Sequence, residues 1–237
     1  GPIAVDFSGR VRSAKAGEEG LASDVEGEVR LAALDPLHGT VVLESASLQP
    51  ALFGVRLEEG EVVEHLDALR IDVELTPDPP KAGYPVSIRS SAARLAGFDL
   101  SDIAIDANYR GEKRGSAVTL DQVALGLAGG TIDLEGDVFL GAPGASPFDL
   151  KTEIRELDAG ELAHALMGVP AAAVTGTLGG DVDLSGDSLE WESLKKSLAG
   201  KLRLDVGAGA LEQVNVLDSL LAGLESDPAF GQLAAAS

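Results

Sequence analysis

The stretch DVDLSGDSLEWE, from Asp181 to Glu192, carries residue types that bind calcium through oxygen. The twelve-residue EF-hand loop places oxygen ligands at alternate early positions, a glycine at the turn and a bidentate glutamate at the end. Asp181, Asp183, Ser185, Gly186 and Glu192 stand at those positions. The spacing therefore makes this stretch a calcium candidate.

The flanking residues favour a β-strand at this place instead. The apolar alternation of TGTLGG continues through Val182 and Leu184, which predicts that Asp181 and Asp183 lie on the outward face of a strand. An EF-hand loop needs a helix on both sides, and no second loop is present to pair with it. We expect solvated aspartates followed by a helix, and a calcium-dependent module remains the alternative.

Other residues that could do chemistry lack partners in the sequence. Glu161 and His164 have the spacing of half a di-iron site, but no second half is present. His38 and His65 have no metal-ligand partner at a usable spacing, and the chain has no cysteine. It also has no nucleophile elbow, P-loop or dinucleotide fingerprint. We therefore predict a non-enzymatic protein with no catalytic residues, resident metal or cofactor.

The composition limits the classes of partner. Eighteen Lys and Arg against 39 Asp and Glu give a formal net charge of −21, which argues against nucleic acid as a partner. Hydrophobic residues make up 45% of the chain but aromatic residues only 4%, so an apolar surface here is aliphatic. The longest apolar runs are much shorter than the ~20 residues that a membrane-spanning helix needs.

Alternation with a period of two runs through the chain and predicts about ten to twelve strands. Two segments 20 residues apart, FDLSDIAIDANY and VTLDQVALGLAG, repeat one pattern. In each, the apolar phase changes once, between Leu100 and Ile103 and between Leu120 and Val123. Such a change predicts a bulge or a bend. RGEKRGS between the segments is typical of a polar hairpin loop.

Helices are predicted to be few and short. Asp158 followed by Glu161 is typical of a capping box that begins the helix DAGELAHALMG. Asp187 with Glu190 predicts a second helix, and Asn215 predicts a third that is strongly apolar. These helices are too few to cover ten or more strands with one aliphatic face. That face is either packed by the sheet curling on itself or partly open as a groove for an apolar ligand.

The segment from Thr175 to Leu220 resembles the C-terminal region of the AsmA-like family of bacterial envelope proteins. The shared features are a G-x-L-x-x-D-V-D-L-x-G strand, a short helix ending in S-L-x-G, an L-x-L-x-V-x-x-G-A-L strand and a V-N-V-L-type helix. VALGLAGGTIDLEGDVFLG, from Val123, is similar to the strand, Gly-Gly, strand hairpin of that family.

The resemblance implies a mainly β fold. It is a long, twisted antiparallel sheet curled into an incompletely closed groove (a β-taco) that holds lipid acyl chains, with a few short helices. It also implies a periplasmic location, an inner-membrane anchor that would lie outside this chain, and a part in phospholipid transport between the two membranes and in envelope integrity. An envelope protein is a further possible partner.

Three segments are predicted. Gly1 and Pro2 are typical of the remnant of a protease cleavage, residues 3–157 form the N-terminal part of the groove, and residues 158–237 form the AsmA C-terminal-like segment on the same sheet. The predicted groove lining is ten aliphatic residues: Ile132, Leu134, Val138, Leu140, Leu178, Val182, Leu184, Leu202, Leu204 and Val206. We predict a lipid-binding and lipid-transfer module. The rival hypothesis is a scaffold or outer-membrane assembly factor with a fully packed β-domain.

Overall fold

The computed structural model describes most of the chain. The described residues are 2–12, 22–34, 37–49, 63–76, 78, 82–95, 98–112, 115–141, 146–167, 174–188, 193, 196–207 and 209.

The described residues form eleven strands and one bounded helix. In chain order these are β1 (Ile3–Arg12), β2 (Ala22–Leu34), β3 (Leu37–Leu48), β4 (Val63–Leu75), β5 (Tyr84–Leu95), β6 (Phe98–Glu112), β7 (Gly115–Leu127), β8 (Gly130–Leu140), β9 (Phe148–Asp158), α1 (Ala159–Met167), β10 (Thr177–Gly186) and β11 (Ala199–Val206).

All eleven strands belong to one open antiparallel sheet in which each strand pairs with its neighbours in sequence. The order runs from β1 to β11 without a crossover, and β1 and β11 are its two edges. This architecture confirms the predicted fold class, a mainly β protein built on one long antiparallel sheet. β10 pairs with β9, so the sheet continues across the division predicted at residue 157; the division itself stays a prediction.

The predicted bulges are confirmed in both repeated segments. The pairing of β6 with β7 shifts between Ser101 and Ala104, where β6 carries one extra residue. The pairing of β7 with β8 shifts between Leu120 and Val123, where β7 carries the extra residue. Each bulge restores the apolar side chains to the same face after the change of phase in the sequence.

The Gly-Gly hairpin joins β7 to β8 through a two-residue turn. Leu127 pairs with Gly130, and the two residues between them, Ala128 and Gly129, have φ values of 45° and 72°. Two consecutive positive φ values define the type I′ turn, whose twist matches that of the flanking strands. Glycine adopts this conformation readily, whereas the Cβ of Ala128 is strained in it.

Replacing Ala128 by glycine should therefore stabilise the protein, by about 0.5–1 kcal/mol. Urea denaturation of the two proteins measures the difference. Ala117→Gly, in the interior of β7, is the matched control and should destabilise by a similar amount, because a strand interior gains nothing from the freedom of glycine. A loss of stability in Ala128→Gly would contradict the turn geometry.

Three further residues with positive φ lie at one level of the sheet. Ala68, Asp102 and Glu156 have φ values of 47°, 49° and 55° in β4, β6 and β9. The extra residue that shifts the pairing of β9 with β10 also falls at this level, next to Glu156. We call this level the crease. Bulges and residues with a left-handed backbone conformation bend a strand and increase its twist. Because three such residues lie at the same level in three strands, they bend the sheet along that level.

Burial shows the direction of the bend. Beside the crease, on the side that carries the aliphatic residues, Leu69 is 2% exposed, Ser90 4% and Leu157 4%. Ala68, Asp102 and Glu156 are exposed to solvent. Since the inside of a bend is more buried than the outside, the sheet curls toward its aliphatic side.

Buried serines satisfy main-chain groups near the crease. The Ser90 hydroxyl lies 2.7 Å from the carbonyl oxygen of Asp67 and 2.9 Å from that of Ala92, and shares its proton between them. Ser45 donates to the carbonyl of Asp24 at 2.7 Å. A buried main-chain carbonyl needs a hydrogen-bond donor. These serines supply one beside the crease and so stabilise the main chain there.

A cluster of buried aliphatic residues lies at the crease of the N-terminal half. Val25, Leu48 and Leu69 are buried together, with Leu43 and Ile71 among the partly buried residues packed against them. Other buried hydrophobic residues, such as Ile103, Phe148 and Leu157, lie farther along the sheet.

The helix α1 begins as predicted, directly after its capping residue Asp158. The backbone N–H of Glu161 donates to Asp158 Oδ1 at 2.8 Å, which is the first half of a capping box. The N–H of Asp158 donates to the Ala128 carbonyl at 2.7 Å, so this bond ties the helix start to the β7–β8 turn. Ser193, Lys196 and Ser197 are helical within the predicted second helix, and the predicted third helix lies outside the described residues.

Candidate functional site: the aliphatic face

One face of the sheet is covered by aliphatic side chains from edge to edge. Residues paired across an antiparallel ladder point to the same face, so the registers define two continuous rows. The first row is Phe7, Gly27, Leu43, Ile71, Ile88, Ile105, Val123, Leu134, Thr152, Val182 and Leu202. The second is Val5, Val29, Val41, Val73, Val86, Ala107, Leu120, Gly136, Leu150, Leu184 and Gly200.

Neither row contains a charged residue. At a strand spacing of ~4.8 Å, the ten intervals between eleven strands give an aliphatic surface about 48 Å long. We call the surface that carries these rows the aliphatic face.

The ten predicted lining residues all belong to the aliphatic face. Ile132 pairs with Ile154, which pairs with Gly180, and Gly180 pairs with Leu204. Leu178 pairs with Val206 in the same ladder. The others follow by the alternation of β8, β10 and β11. The strands thus bring the ten together on one surface, while their contact with a ligand stays a prediction.

Exposure on the aliphatic face rises from the middle strands to the edge. Ile132, Leu134, Val138 and Val182 are half-buried by their neighbours in the sheet. Leu202 is 64% exposed, Leu204 53% and Val206 69%. α1, the bounded helix in the described part of the chain, lies against β9, so among these residues no second layer covers the length of the sheet.

The opposite face is charged, and its arginines bridge carboxylates. The partners are two residues along the same strand, directly across the ladder or diagonally across it. Examples are Arg70 with Asp72 at 2.8 Å and with Glu44, Arg89 with Asp106 at 2.8 Å, Arg155 with Asp133 at 2.7 Å, and Arg203 with Asp205 at 3.4 Å. Cross-strand pairs of opposite charge favour this register. The two faces therefore differ sharply in polarity.

The Arg89 guanidinium hydrogen-bonds both oxygens of Asp106 at 2.8 Å and holds the pKa of that carboxyl below its usual range. A carboxyl whose pKa is lower in the folded state stabilises the protein above its unfolded pKa, and this contribution is lost as the pH falls through the folded pKa. Because the pair is about 40% exposed, solvent screening keeps the contribution below about 1 kcal/mol.

Asp106→Asn should therefore lower the free energy of unfolding at pH 7, and the difference from the parent protein should shrink as the pH falls below the usual aspartate pKa of about 3.9 toward the lower folded pKa. Urea denaturation at pH 7 and pH 3 measures both values. Asp99→Asn is the control, because the Asp99 side chain is 87% exposed and 3.8 Å from Arg94. An equal loss at both pH values would show that the ion pair is not the cause.

The calcium candidate lies on a strand, as its flanking residues predicted. Asp181 and Asp183 belong to β10 and face charged neighbours: Asp181 pairs with Arg203, and Asp183 lies between Lys151 and Lys201. Glu192 lies outside the described residues. Within the described part of the chain, no group of three or more His, Cys, Asp or Glu is arranged to hold a metal ion.

The three histidines of the chain lie at or near the surface. His164 and Glu161 are exposed on α1, and His38 is exposed on β3. His65, on β4, has Nε2 3.6 Å from Asp67 Oδ2.

A polar rim borders the aliphatic face at the ends of β5 and β6. The chain has two tyrosines, and they pair with each other across these strands, Tyr84 with Tyr109. The Tyr109 hydroxyl lies 2.7 Å from the Ser116 hydroxyl on β7. We call Tyr84, Tyr109 and Ser116 the hydroxyl rim.

The turn before β5 fixes the position of Tyr84. The Thr76 hydroxyl donates to the Gly83 carbonyl at 2.6 Å, and Asn108 Nδ2 donates to the Ala82 carbonyl at 3.0 Å. Gly83 has a φ of 70°, and a Cβ there would lie 1.8 Å from Asn108 Oδ1. Only glycine fits this turn, which holds the first residue of β5 next to Tyr109. The alternation of residue types gives no sign of the hydroxyl rim, because the two tyrosines are 25 positions apart in the sequence and only the strand register joins them.

Comparison with known proteins finds no matching family model, no matching curated protein and no matching solved structure. The resemblance to AsmA-like proteins therefore stays a prediction from the motifs of the sequence. None of the described helices has the length and apolar character that crossing a membrane requires.

Proposed function

We propose that this protein binds lipid acyl chains on its aliphatic face and serves as a lipid-transfer module. One observation carries the proposal. Two rows of uncharged residues cross all eleven strands on the inner side of a creased, open sheet. The expected ligand is aliphatic because the rows consist almost entirely of Val, Leu, Ile, Ala and Gly.

The energetics favour transfer over tight storage. Moving a methylene from water to an apolar surface is worth about 0.8 kcal/mol, but a chain that leaves a bilayer gives up a similar contact there. The aliphatic face therefore needs only to bind an acyl chain about as strongly as the membrane interior does. Hydrophobic contact is non-directional. On rows without charges or deep pockets, an acyl chain should therefore have a similar binding energy at each successive strand. Such a surface allows a chain to slide across the strands.

The direction of transport enters the proposal through the resemblance alone. AsmA-like proteins are tied to phospholipid movement between the inner and outer membranes, and we extend that role to this chain together with a periplasmic location. The charged face, in a chain of net charge −21, is repelled by anionic membrane surfaces. The aliphatic face and its edges are therefore the surfaces expected to meet a lipid.

A vesicle assay tests the transfer. Donor vesicles carry a self-quenched fluorescent phospholipid, acceptor vesicles carry none, and both are made of zwitterionic lipid. The protein should raise the rate of dequenching in proportion to its concentration. A rate equal to that without protein would favour the rival hypothesis, in which the β-domain is a packed scaffold that acts through its edges.

A further inference from the structure

The hydroxyl rim and the crease lie at two different levels of the aliphatic face. Along β6, Tyr109 lies six residues from Ile103 at the crease, and along β5, Tyr84 lies six residues from Ser90. At ~3.3 Å per residue, the crease and the rim are about 20 Å apart. The acyl chains of one leaflet occupy half of a hydrocarbon core of about 30 Å. Half of that core is about 15 Å, whereas a fully extended sixteen-carbon chain is about 19 Å long, so an extended chain laid along these strands reaches from the rim to the crease.

Tyrosine suits the boundary between an apolar surface and water, because its ring is apolar and its hydroxyl is polar. Tyr109 is 40% exposed, and its hydroxyl shares one hydrogen bond with Ser116. Whichever of these two groups donates in that bond, the other keeps a proton that can be donated outward. The rim thus offers hydrogen-bond donors at the end of an apolar track.

The three side chains of the hydroxyl rim carry hydroxyls and no charge. The nearest described basic side chain in sequence, Arg110, follows Tyr109 in β6 and so points to the opposite face, where Nη2 lies 3.4 Å from Glu112 Oε1. A phosphate would favour a cation. A neutral hydroxyl fits the carbonyl oxygen of an ester, which accepts hydrogen bonds.

We propose that the hydroxyl rim binds the ester region of a glycerolipid whose acyl chain lies along β5 and β6 with its methyl end at the crease. This inference rests on the proposed function, since it orients the lipid on the aliphatic face. It makes Tyr84, Tyr109 and Ser116 the residues that select ester-linked lipids.

Matched ester and ether lipids test the selection. Dipalmitoyl phosphatidylcholine and its dihexadecyl ether analogue have equal chains and head groups, but only the first has ester carbonyls. The parent protein should bind the ester lipid about 5-fold more tightly or better, which corresponds to about one hydrogen bond. The Tyr84→Phe, Tyr109→Phe, Ser116→Ala triple variant keeps both rings, removes all three hydroxyls and should bind the two lipids equally, with little change in the urea midpoint. Equal binding of the two lipids by the parent protein, or an ester preference that persists in the triple variant, would overturn the proposed role of the hydroxyl rim.

A fluorescence measurement tests the orientation. In a Trp191→Phe background the two tyrosines dominate the emission, because the chain has a single tryptophan. A lipid with a nitroxide at carbon 5 should quench them more than one with a nitroxide at carbon 16. Equal or reversed quenching would overturn the orientation. Failure of both lipids to bind would instead count against the proposed function itself, so the two outcomes are distinguishable.

Discussion

Val182→Asp should leave the protein folded while lowering lipid binding about tenfold or more. Val182 is half-buried in the first row of the aliphatic face, between Thr152 and Leu202. In an open face the carboxylate can reach water, so the free energy of unfolding should change by only about 1 kcal/mol, the range of strand propensities. A chain lying on this row would have to desolvate the charge, which strongly disfavours the complex.

The control for this prediction is Lys201→Gln, which also makes the net charge more negative by one. Lys201 is exposed on the charged face of β11. It should change neither lipid binding nor stability appreciably. Urea denaturation and binding of a fluorescent fatty acid measure both properties in each variant. If Val182→Asp unfolds the protein, with a loss of about 3 kcal/mol or more, the face is a packed core and the groove is excluded.

Leu69→Ala should destabilise the protein by about 2–5 kcal/mol, the range for removing a leucine side chain from a well-packed core. Leu69 is 2% exposed and packs with Val25 and Leu48 at the crease. Leu202→Ala is the matched truncation on the same face, and its side chain is 64% exposed. It should cost less than about 1 kcal/mol, because an exposed side chain leaves no cavity when it is shortened.

The comparison of the two leucines maps where the sheet is packed. A large loss for Leu69→Ala with a small loss for Leu202→Ala agrees with a core confined to the crease. Similar large losses at both positions would show that residues cover the aliphatic face as far as β11. Chemical denaturation of both variants in parallel, with unchanged dependence on urea, gives the two values.

Local features of the fold were predictable from the sequence because they depend on neighbouring residues. The alternation of apolar and polar residues predicted the strands and their shared face, since successive side chains in a strand point to opposite sides. The change of phase at Leu100 to Ile103 predicted a bulge, and Asp158 predicted a helix start. The strands, the bulge and the helix start each depend on only a few neighbouring residues.

The crease and the hydroxyl rim were not predictable in the same way. Two of the residues that bend the sheet, Ala68 and Glu156, have positive φ without being glycine or asparagine, so residue type gave no indication of their conformation. The crease exists because such residues in β4, β6 and β9 fall at one level, which depends on the registers of the intervening strands. The pairing of Tyr84 with Tyr109 has the same origin.

The most direct test of lipid binding is organic extraction of the purified protein followed by lipid mass spectrometry. A similarly acidic β-protein from the same host is the control, and the Val182→Asp variant purified in parallel is a second control. We expect stoichiometric enrichment of one lipid class with the parent protein, and much less with the variant. A lipid profile equal to that of the acidic control would contradict the account and favour the packed scaffold.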